Sequence, residues 1–293
     1  MLFLSHTLSI YKDLSLAPCP ITTVFGDVLF ALLAKAFLAG CKARRKGAFM
    51  ERIDVVNDGL KLIQKTEGLT FGTDALLLAA FISKKYNIGA ELGAGSGIIS
   101  LLLLSRSKLS RTYAVEVQEE YAELTARNAE LNGLAERILS VRADLRDFKC
   151  PEALDLVYTN PPYMKTASGK ACTLDKKNTA RHEICGDIGD FCRAARDMLK
   201  YGGDFAAVYR PDRLCDLLYS MREAGIEPKR ATFVYASPKK EPSMVLVLGR
   251  LGGKSGMICT PPLIIYKDTT HGEYSEDMKY IMEKGSFPEA FQR

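Results

Sequence analysis

Hydrophobic and polar positions alternate in two different rhythms along most of the chain. From about residue 88, apolar runs of five or six residues are separated by longer segments whose apolar residues recur every three or four positions. Short apolar runs are typical of buried strands, and the three-to-four spacing is typical of amphipathic helices. Their alternation predicts an α/β fold of βαβ units, with a mainly parallel sheet and helices on both faces.

Seven strands and four helices follow from these rhythms. The strands are predicted at 88–92, 112–117, 138–142, 154–159, 204–209, 231–235 and 244–249, and the helices at 98–105, 119–132, 190–199 and 213–224. Gly133, Gly202 and Gly225 are the expected helix stops. No long helix separates the last two strands, so we expect the sheet to end in an antiparallel pair.

Composition excludes a disordered chain, because 47% of the residues are hydrophobic and 26% are charged. The formal net charge of +5 does not indicate nucleic acid by itself. Six basic and only two acidic residues lie within the first 49, so most of the excess sits there. We predict that residues 1–49 are an N-terminal extension and that residues 50–293 form the domain.

The extension contains one apolar segment, at 28–40. It is 13 residues long and includes Lys35, whereas a membrane helix needs about 20 residues. Leu-Ala-Gly-Cys at 38–41 resembles a lipoprotein cleavage box, but the basic run at 42–46 lies after it instead of before it. We expect no membrane-spanning anchor. The role of the segment stays open between a lipidated leader and an extension translated from an upstream start.

Eight cysteines are scattered without a Cys-x-x-Cys pair, and the chain has only three histidines. This distribution argues against a structural zinc site and against a disulfide framework. We expect a cytoplasmic protein with reduced thiols, no metal and a monomeric state.

A glycine-rich loop follows the first predicted strand and reads Glu91-Leu-Gly93-Ala-Gly95-Ser-Gly97. Such a loop lets a ligand approach the backbone closely. Its third glycine comes one residue too early for the Gly-x-Gly-x-x-Gly of dinucleotide sites. The carboxylate of Glu91 also disfavours a pyrophosphate and favours a ligand with ammonium and sulfonium charges, such as S-adenosylmethionine.

Acidic residues also stand at the ends of the next two predicted strands. Glu116, about 20 residues beyond the loop, can accept both hydroxyls of a ribose. Asp144 can accept from an adenine amino group. Taken singly, each acid could equally be a helix N-cap, as Asp144 before Leu145 illustrates. Together with the glycines, they indicate a site for an adenosine-containing cofactor.

The fourth predicted strand ends in Asn160-Pro161-Pro162-Tyr163. Prolines stiffen the backbone and remove donors, so the Asn160 amide and the Pro161 carbonyl can present two acceptors at a fixed separation. Two acceptors on the hydrogens of a planar amino group favour the pyramidal form that attacks a methyl group. Tyr163 would stack on a flat substrate. The alternative is a proline-rich turn that ends an edge strand.

With ELGAGSG, AVEVQ, RADL and NPPY in this order, the chain resembles class I S-adenosylmethionine-dependent methyltransferases that methylate amino groups. More narrowly, it resembles the tRNA1(Val) (adenine-N6)-methyltransferase family, which methylates the adenosine 3′ of the anticodon. The supporting stretches are ERIDVVNDGLKLIQ, FGTDALLLA, ARHE, VYRPDRL and PPLIIY followed by EYSED. The resemblance covers about residues 50–293 and implies a Rossmann-like fold.

The resemblance also implies roles for individual residues. The cofactor would be bound by Glu91, Gly93, Ala94, Gly95, Glu116, Asp144 and Leu145, with Phe71 and Asp74 near its methionine end. The amine would be held by Asn160, Pro161 and Tyr163.

Two basic segments, 164–185 and 229–254, are expected to flank the substrate side and favour RNA, although each could be an ordinary solvated charge run. The residues expected to contact RNA are Lys165, Arg181, His182, Lys239 and Lys240.

Three alternatives stay open. Enzymes that methylate a glutamine amide of release factors share the same motif, but they usually carry an N-terminal recognition domain for which the residues before position 50 are too few. In guanine-N2 methyltransferases of ribosomal RNA, Phe is commoner than Tyr after the prolines. The third alternative is a non-catalytic protein that binds S-adenosylmethionine or RNA.

Overall fold

The computed structural model describes residues 51–56, 59–65, 72–161, 186–270 and 272–292. Their strands are β1 (Glu51–Val55), β2 (Lys61–Lys65), β3 (Tyr86–Leu92), β4 (Leu109–Glu116), β5 (Ile138–Arg142), β6 (Leu154–Thr159), β7 (Leu199–Tyr209), β8 (Ile226–Tyr235), β9 (Pro242–Leu251), β10 (Ile258–Cys259) and β11 (Leu263–Ile264). Their helices are α1 (Thr73–Phe81), α2 (Ile98–Ser105), α3 (Glu119–Leu131), α4 (Ile188–Met198), α5 (Leu214–Glu223) and α6 (Glu276–Lys284). Single 3-10 turns lie at Pro211–Arg213 and Glu289–Phe291. The predicted extension, residues 1–49, lies outside the described residues.

The main sheet has the strand order β10-β8-β9-β7-β6-β3-β4-β5, and β11 also pairs with β8. The five strands from β7 to β5 in this order are parallel. Strand β9 is antiparallel to both β7 and β8. The predicted parallel sheet with an antiparallel last pair is therefore confirmed, and the two-residue strands β10 and β11 extend the predicted seven strands to nine.

Alternate residues of the central strands face two separate cores, because successive side chains of a strand point to opposite faces. In β7, Ala206 and Val208 pack in the core that contains α1, α2 and α6. Phe205 and Ala207 pack in the other core, with α4 and α5. The helices therefore cover both faces of the sheet.

One predicted helix stop is wrong. Helix α4 ends at Met198, and Leu199 already pairs with Leu154 as the first residue of β7. Gly202 consequently lies inside the strand, where its φ of +80° accompanies a shift in the β6–β7 register. Gly133 does follow α3, and Gly225 follows α5, as predicted.

Helix α1 runs from the carboxyl edge of the sheet to the amino edge. Its last carbonyls accept from two buried cations: Lys108 Nζ lies 2.8 Å from the Ala79 oxygen, and Arg230 Nη2 lies 2.8 Å from the Phe81 oxygen. Both cations belong to the amino ends of strands, Lys108 just before β4 and Arg230 in the first half of β8. The first turn of α1, which contains Asp74, is therefore directed toward the carboxyl edge.

At the amino edge, one buried carboxylate joins three strands. Asp204 of β7 is 3% exposed, and it accepts from Tyr86 of β3 at 2.8 Å and from Arg250 of β9 at 2.8 Å. Lys84 also lies 3.2 Å from it. Burial alone would raise the pKa of Asp204, but the hydrogen bonds from Arg250 and Tyr86 and the charges of Lys84 and Arg250 outweigh burial and lower it.

We expect Asp204→Asn to lower the free energy of unfolding by about 2 kcal/mol at pH 7, because it removes hydrogen bonds to a buried charge. Because the pKa of Asp204 is lower in the folded protein, its carboxylate contributes stability above the pKa of the unfolded chain, about 3.9. This contribution is lost as the pH falls through the pKa of the folded protein. The difference from wild type should therefore shrink below about pH 4. Urea unfolding at several pH values measures it. Asp212→Asn, at an exposed pair, is the control and should change little; equal effects of the two variants would contradict the role of Asp204.

Candidate cofactor and acceptor site

Three neighbouring strands end side by side at the carboxyl edge of the sheet. In the parallel ladders, Leu92 of β3 is paired with Val115 of β4 and with Thr159 of β6. Adjacent strands are about 4.8 Å apart. The glycine loop, Glu116 and Asn160 therefore leave the sheet next to one another, with the loop in the middle. Thr159 Oγ1 strengthens this register by donating to the Leu92 carbonyl at 2.8 Å.

The first three amide groups of the glycine loop, residues 93–97, are bound to strand β4. The amides of Gly93 and Ala94 donate to the Val115 carbonyl at 2.9 and 3.1 Å. The amide of Gly95 donates to Glu116 Oε2 at 3.0 Å. The loop conformation is therefore determined by contacts with its own chain.

Gly95 and Gly97 differ in the space that surrounds them. Gly95 has a φ of +56°, and a Cβ built on it would meet nothing within 4 Å. Gly97 has a φ of +75°, and a Cβ on it would lie 2.8 Å from Thr125 Cγ2 of helix α3. Gly97 therefore lets α3 pack closely, whereas Gly95 borders open space that a ligand can enter.

Glu116 is 5% exposed and sits at the end of β4 as predicted. Besides the Gly95 amide, it accepts from the Gln118 amide at 2.9 Å. A carboxylate has about four lone-pair sites, so two amide donors leave it capacity for hydroxyl donors.

Asp144 follows β5 and lies beside the end of β4, because the neighbouring Ala143 amide donates to the Glu116 carbonyl at 3.1 Å. Its carboxylate accepts from the guanidinium and the backbone amide of Arg146. The hydrogen bond from Arg146 holds the pKa of Asp144 below its usual value. Ala94 and Leu145, the two apolar residues predicted beside the cofactor, are buried.

The structure places Glu91 beneath the loop, inside the core. Its side chain is 1% exposed, and its Oε2 accepts from the backbone amide of Ser100 at 3.0 Å and from the Ser100 hydroxyl. The carboxylate therefore fixes the first turn of α2. Burial, which outweighs the Ser100 hydrogen bonds, raises the pKa of Glu91 to about 8.

On the acceptor side, Asn160 is partly exposed and follows β6 directly, and Pro161 is buried. Pro161 lines a cavity of about 300 Å³ between α4 and α5, together with Tyr209 and Arg213. Asp74 is half-buried in the first turn of α1. Five further predicted site residues lie outside the described residues: Phe71, Tyr163, Lys165, Arg181 and His182.

Only part of the second basic segment lies at this edge. Strand β8 runs parallel to β7, so the exposed Lys239 and Lys240 in the β8–β9 turn are at the carboxyl edge, three strands or roughly 14 Å from β6. Other basic residues of the segment 229–254 do not lie on the substrate side, contrary to the prediction. Lys229 donates to backbone carbonyls, Arg230 is buried against α1, and Arg250 pairs with the buried carboxylate of β7, all at the amino edge.

The sequence did not reveal two residues of α3 that also contact the loop. Thr125 Oγ1 donates to the Gly95 carbonyl at 2.9 Å, and Asn128 Nδ2 donates to the Ser96 carbonyl at 2.9 Å. Polar residues with short side chains are unfavourable inside helices. Their occurrence in the middle of a predicted helix was the available signal.

None of the described helices combines the length and apolar character needed to cross a membrane. Among the same residues, no group of three His, Cys, Asp or Glu side chains could hold a metal ion.

The strand order, the antiparallel β9 and the glycine loop after the central strand together define the class I, Rossmann-like fold of S-adenosylmethionine-dependent methyltransferases. Residues 66–216, just over half of the chain, match the family described as methyltransferase small domain. The chain belongs to this family and is a methyltransferase with S-adenosylmethionine as its cofactor.

Similar proteins agree with this assignment. A tRNA1(Val) (adenine(37)-N6)-methyltransferase of Phocaeicola vulgatus is 29% identical over 178 residues, which cover 60% of this chain and 74% of that protein. One of the same name from Bacteroides thetaiotaomicron is 25% identical over 72% of this chain and 87% of its own length. The crystal structure of a predicted O-methyltransferase from Agrobacterium tumefaciens shares the fold, with a TM-score of 0.59 and 20% identity over 73% of this chain and 98% of that one.

We expect Glu91→Gln to change the pH dependence of stability. Because the pKa of Glu91 rises from 4.5 to about 8 on folding, the folded protein keeps a proton that the unfolded chain releases between these values. The free energy of unfolding therefore falls as the pH rises through this interval. Glutamine still accepts from Ser100 but cannot ionise, so the variant should gain stability relative to wild type between pH 5 and pH 8.

Urea unfolding across this pH range measures the effect. Glu136→Gln, which changes an exposed carboxylate, should leave the slope as it is in wild type. An unchanged slope in Glu91→Gln would mean that this carboxylate titrates normally in the folded protein.

Proposed function

We propose that this protein transfers the methyl group of S-adenosylmethionine to the exocyclic N6 of an adenosine in tRNA, next to the anticodon. The observation that carries the proposal is the pairing of Thr159 with Leu92, which puts Asn160 and the glycine loop at adjacent strand ends. The names of the similar proteins support tRNA as the substrate. As parts of the same proposal, the enzyme acts in the cytoplasm, as a monomer and without a metal.

The described residues fit the cofactor. The open space beside Gly95 gives it access to the loop backbone. Glu116 can accept the ribose hydroxyls, and Asp144 can accept from the adenine amino group. Glu91 holds the first turn of α2 beneath the loop through its hydrogen bonds with Ser100. Asp74, and Phe71 outside the described residues, are proposed for the methionine end. When bound, S-adenosylmethionine supplies a methyl group already activated by its sulfonium.

The acceptor amine is held by the residues that follow β6. The side-chain oxygen of Asn160 and the carbonyl of Pro161 accept the two amino hydrogens and favour the pyramidal, nucleophilic nitrogen. Tyr163 stacks on the base, which has to leave its RNA stack first. The proton of the methylated amine passes to water, so the scheme needs no acid-base pair.

The phosphates of the RNA are attracted by basic side chains around this edge. Lys239 and Lys240 are exposed there. Lys165, Arg181 and His182, which lie outside the described residues, are proposed as further RNA contacts. Such contacts give affinity without sequence information, so the choice of nucleotide rests on the acceptor site.

We expect Asn160→Ala to lower methyl transfer to tRNA by about 100-fold or more, because it removes an acceptor that acts in the transition state. Transfer from tritiated S-adenosylmethionine to total tRNA, with mass spectrometry of the nucleosides, measures it, and wild type should yield N6-methyladenosine. Calorimetry should show cofactor binding retained. The control Asn87→Ala, an exposed asparagine before the buried part of β3, should behave like wild type.

Other outcomes separate the alternatives. Label in a release factor would favour glutamine-N5 methylation, and N2-methylguanosine in ribosomal RNA would favour the guanine enzyme. Unchanged transfer by Asn160→Ala would refute the proposed mechanism. Cofactor binding without transfer to any of these acceptors would indicate a pure binding protein.

We expect reversal of both charges in the β8–β9 turn, Lys239→Glu with Lys240→Glu, to raise the KM for tRNA about tenfold at low salt. The value of kcat should stay nearly constant, and the effect should shrink as salt is added, because phosphate contacts release counterions. Lys85→Glu with Lys254→Glu reverses two exposed charges at the amino edge and is the matched control. Equal effects of the two pairs would contradict a substrate surface at the β8–β9 turn.

A further inference from the structure

The β1–β2 hairpin packs on helix α3 and is separate from the main sheet. Ile63 of β2 forms a small buried cluster with Tyr121 and Leu124 of α3. Arg127 of α3 pairs with Glu51 of β1. The hairpin also precedes residues 66–216, which match the methyltransferase family. The hairpin therefore contacts helix α3 from outside the part of the chain that the family match covers.

Asn128 of α3 and Asn132, which caps the end of that helix, bind the outer edge of β2 as a third strand would. Asn128 Oδ1 accepts from the Ile63 amide at 2.7 Å, and Asn128 Nδ2 donates to the Ile63 carbonyl at 3.1 Å. Asn132 makes the same two bonds with Lys61, at 2.9 and 2.7 Å. Four helical residues rise about 6 Å and two strand residues about 6.6 Å. The side chains and the backbone groups are therefore in register.

Asn128 reaches further than Asn132. It is fully buried, and its Nδ2 also donates to the Ser96 carbonyl of the glycine loop at 2.9 Å. The Ile63 amide requires the oxygen of the side chain, so both hydrogens of Nδ2 are left for the Ile63 and Ser96 carbonyls. One turn earlier, Thr125 donates to the Gly95 carbonyl at 2.9 Å.

Helix α3 thus binds carbonyl groups of the loop, while strand β4 binds amide groups of the loop. The hairpin determines which way the Asn128 amide is turned. We propose that Asn128 is a positioning residue for the cofactor loop, and that the β1–β2 hairpin is through it a part of the cofactor site. This inference rests on the proposed binding of S-adenosylmethionine at residues 93–97.

The test compares Asn128→Ala with Asn132→Ala by calorimetric titration with S-adenosylmethionine and by thermal unfolding. Both variants lose two hydrogen bonds to the hairpin, but only Asn128→Ala loses the bond to the loop. We expect the Kd for S-adenosylmethionine to rise at least tenfold in Asn128→Ala and at most twofold in Asn132→Ala. A purely structural role would change the melting temperatures without this difference in Kd.

A second pair of variants covers the case in which Asn128→Ala does not fold. Thr125→Val keeps the size of the side chain but removes its bond to the Gly95 carbonyl, whereas Thr125→Ser keeps the hydroxyl. We expect the Kd to rise about threefold or more in Thr125→Val and to stay close to wild type in Thr125→Ser. Equal Kd values in this pair would overturn the idea that α3 positions the loop.

The remaining outcomes distinguish the inference from the function on which it rests. Equal weakening of binding by Asn128→Ala and Asn132→Ala would overturn the inference. The inference would also be overturned if the Kd were unchanged in Asn128→Ala while Gly95→Ala lost binding. That result would leave the proposed function intact. If Gly95→Ala also bound S-adenosylmethionine normally, the loop would not be the cofactor site and both proposals would fall.

Discussion

The pairing of β3 between β4 and β6 is the constraint on which the site depends. It aligns Leu92 with both Val115 and Thr159, so one loop, one carboxylate and one asparagine leave the sheet together. A shift of one residue in a strand would move its side chains to the opposite face. It would exchange the residues that now fill the two cores, such as Ala114 and Val115. Core packing therefore determines the geometry of the site.

A buried polar network beneath the loop follows from the same arrangement. Glu91, Ser100, Tyr158 and Thr112 are all buried, and the Tyr158 hydroxyl lies 2.8 Å from Ser100 Oγ and 3.0 Å from Thr112 Oγ1. Burying such groups is costly unless they are hydrogen-bonded, and satisfied networks rigidify a core. Here the network joins three strands to α2, so the helix that follows the loop is held as firmly as the strand before it.

Patterns in the sequence predict those parts of the fold that follow from amphipathic periodicity. The seven main strands, the antiparallel pair and the place of Glu116 are of this kind. Helix α1 was missed because residues 75–81 are buried all round it, so it has no polar face to reveal its period. The basic segment 229–254 was misjudged because charge along a strand does not show which end of the sheet it reaches. Asn128 contacts Ile63 and Ser96, which are 65 and 32 positions away from it in the sequence. A local sequence pattern does not display such contacts.

The two sides of the site are built differently, in a way that suits the proposed reaction. On the cofactor side, the loop amides and carbonyls are bound by β4 and α3, so a small ligand meets a preorganised surface. On the acceptor side, Pro161 borders a cavity of about 300 Å³ between α4 and α5. A base taken out of an RNA stack needs room to enter, whereas the methyl donor needs a fixed position. Rigidity at residues 93–97 and space near residue 161 therefore meet the separate requirements of donor and acceptor.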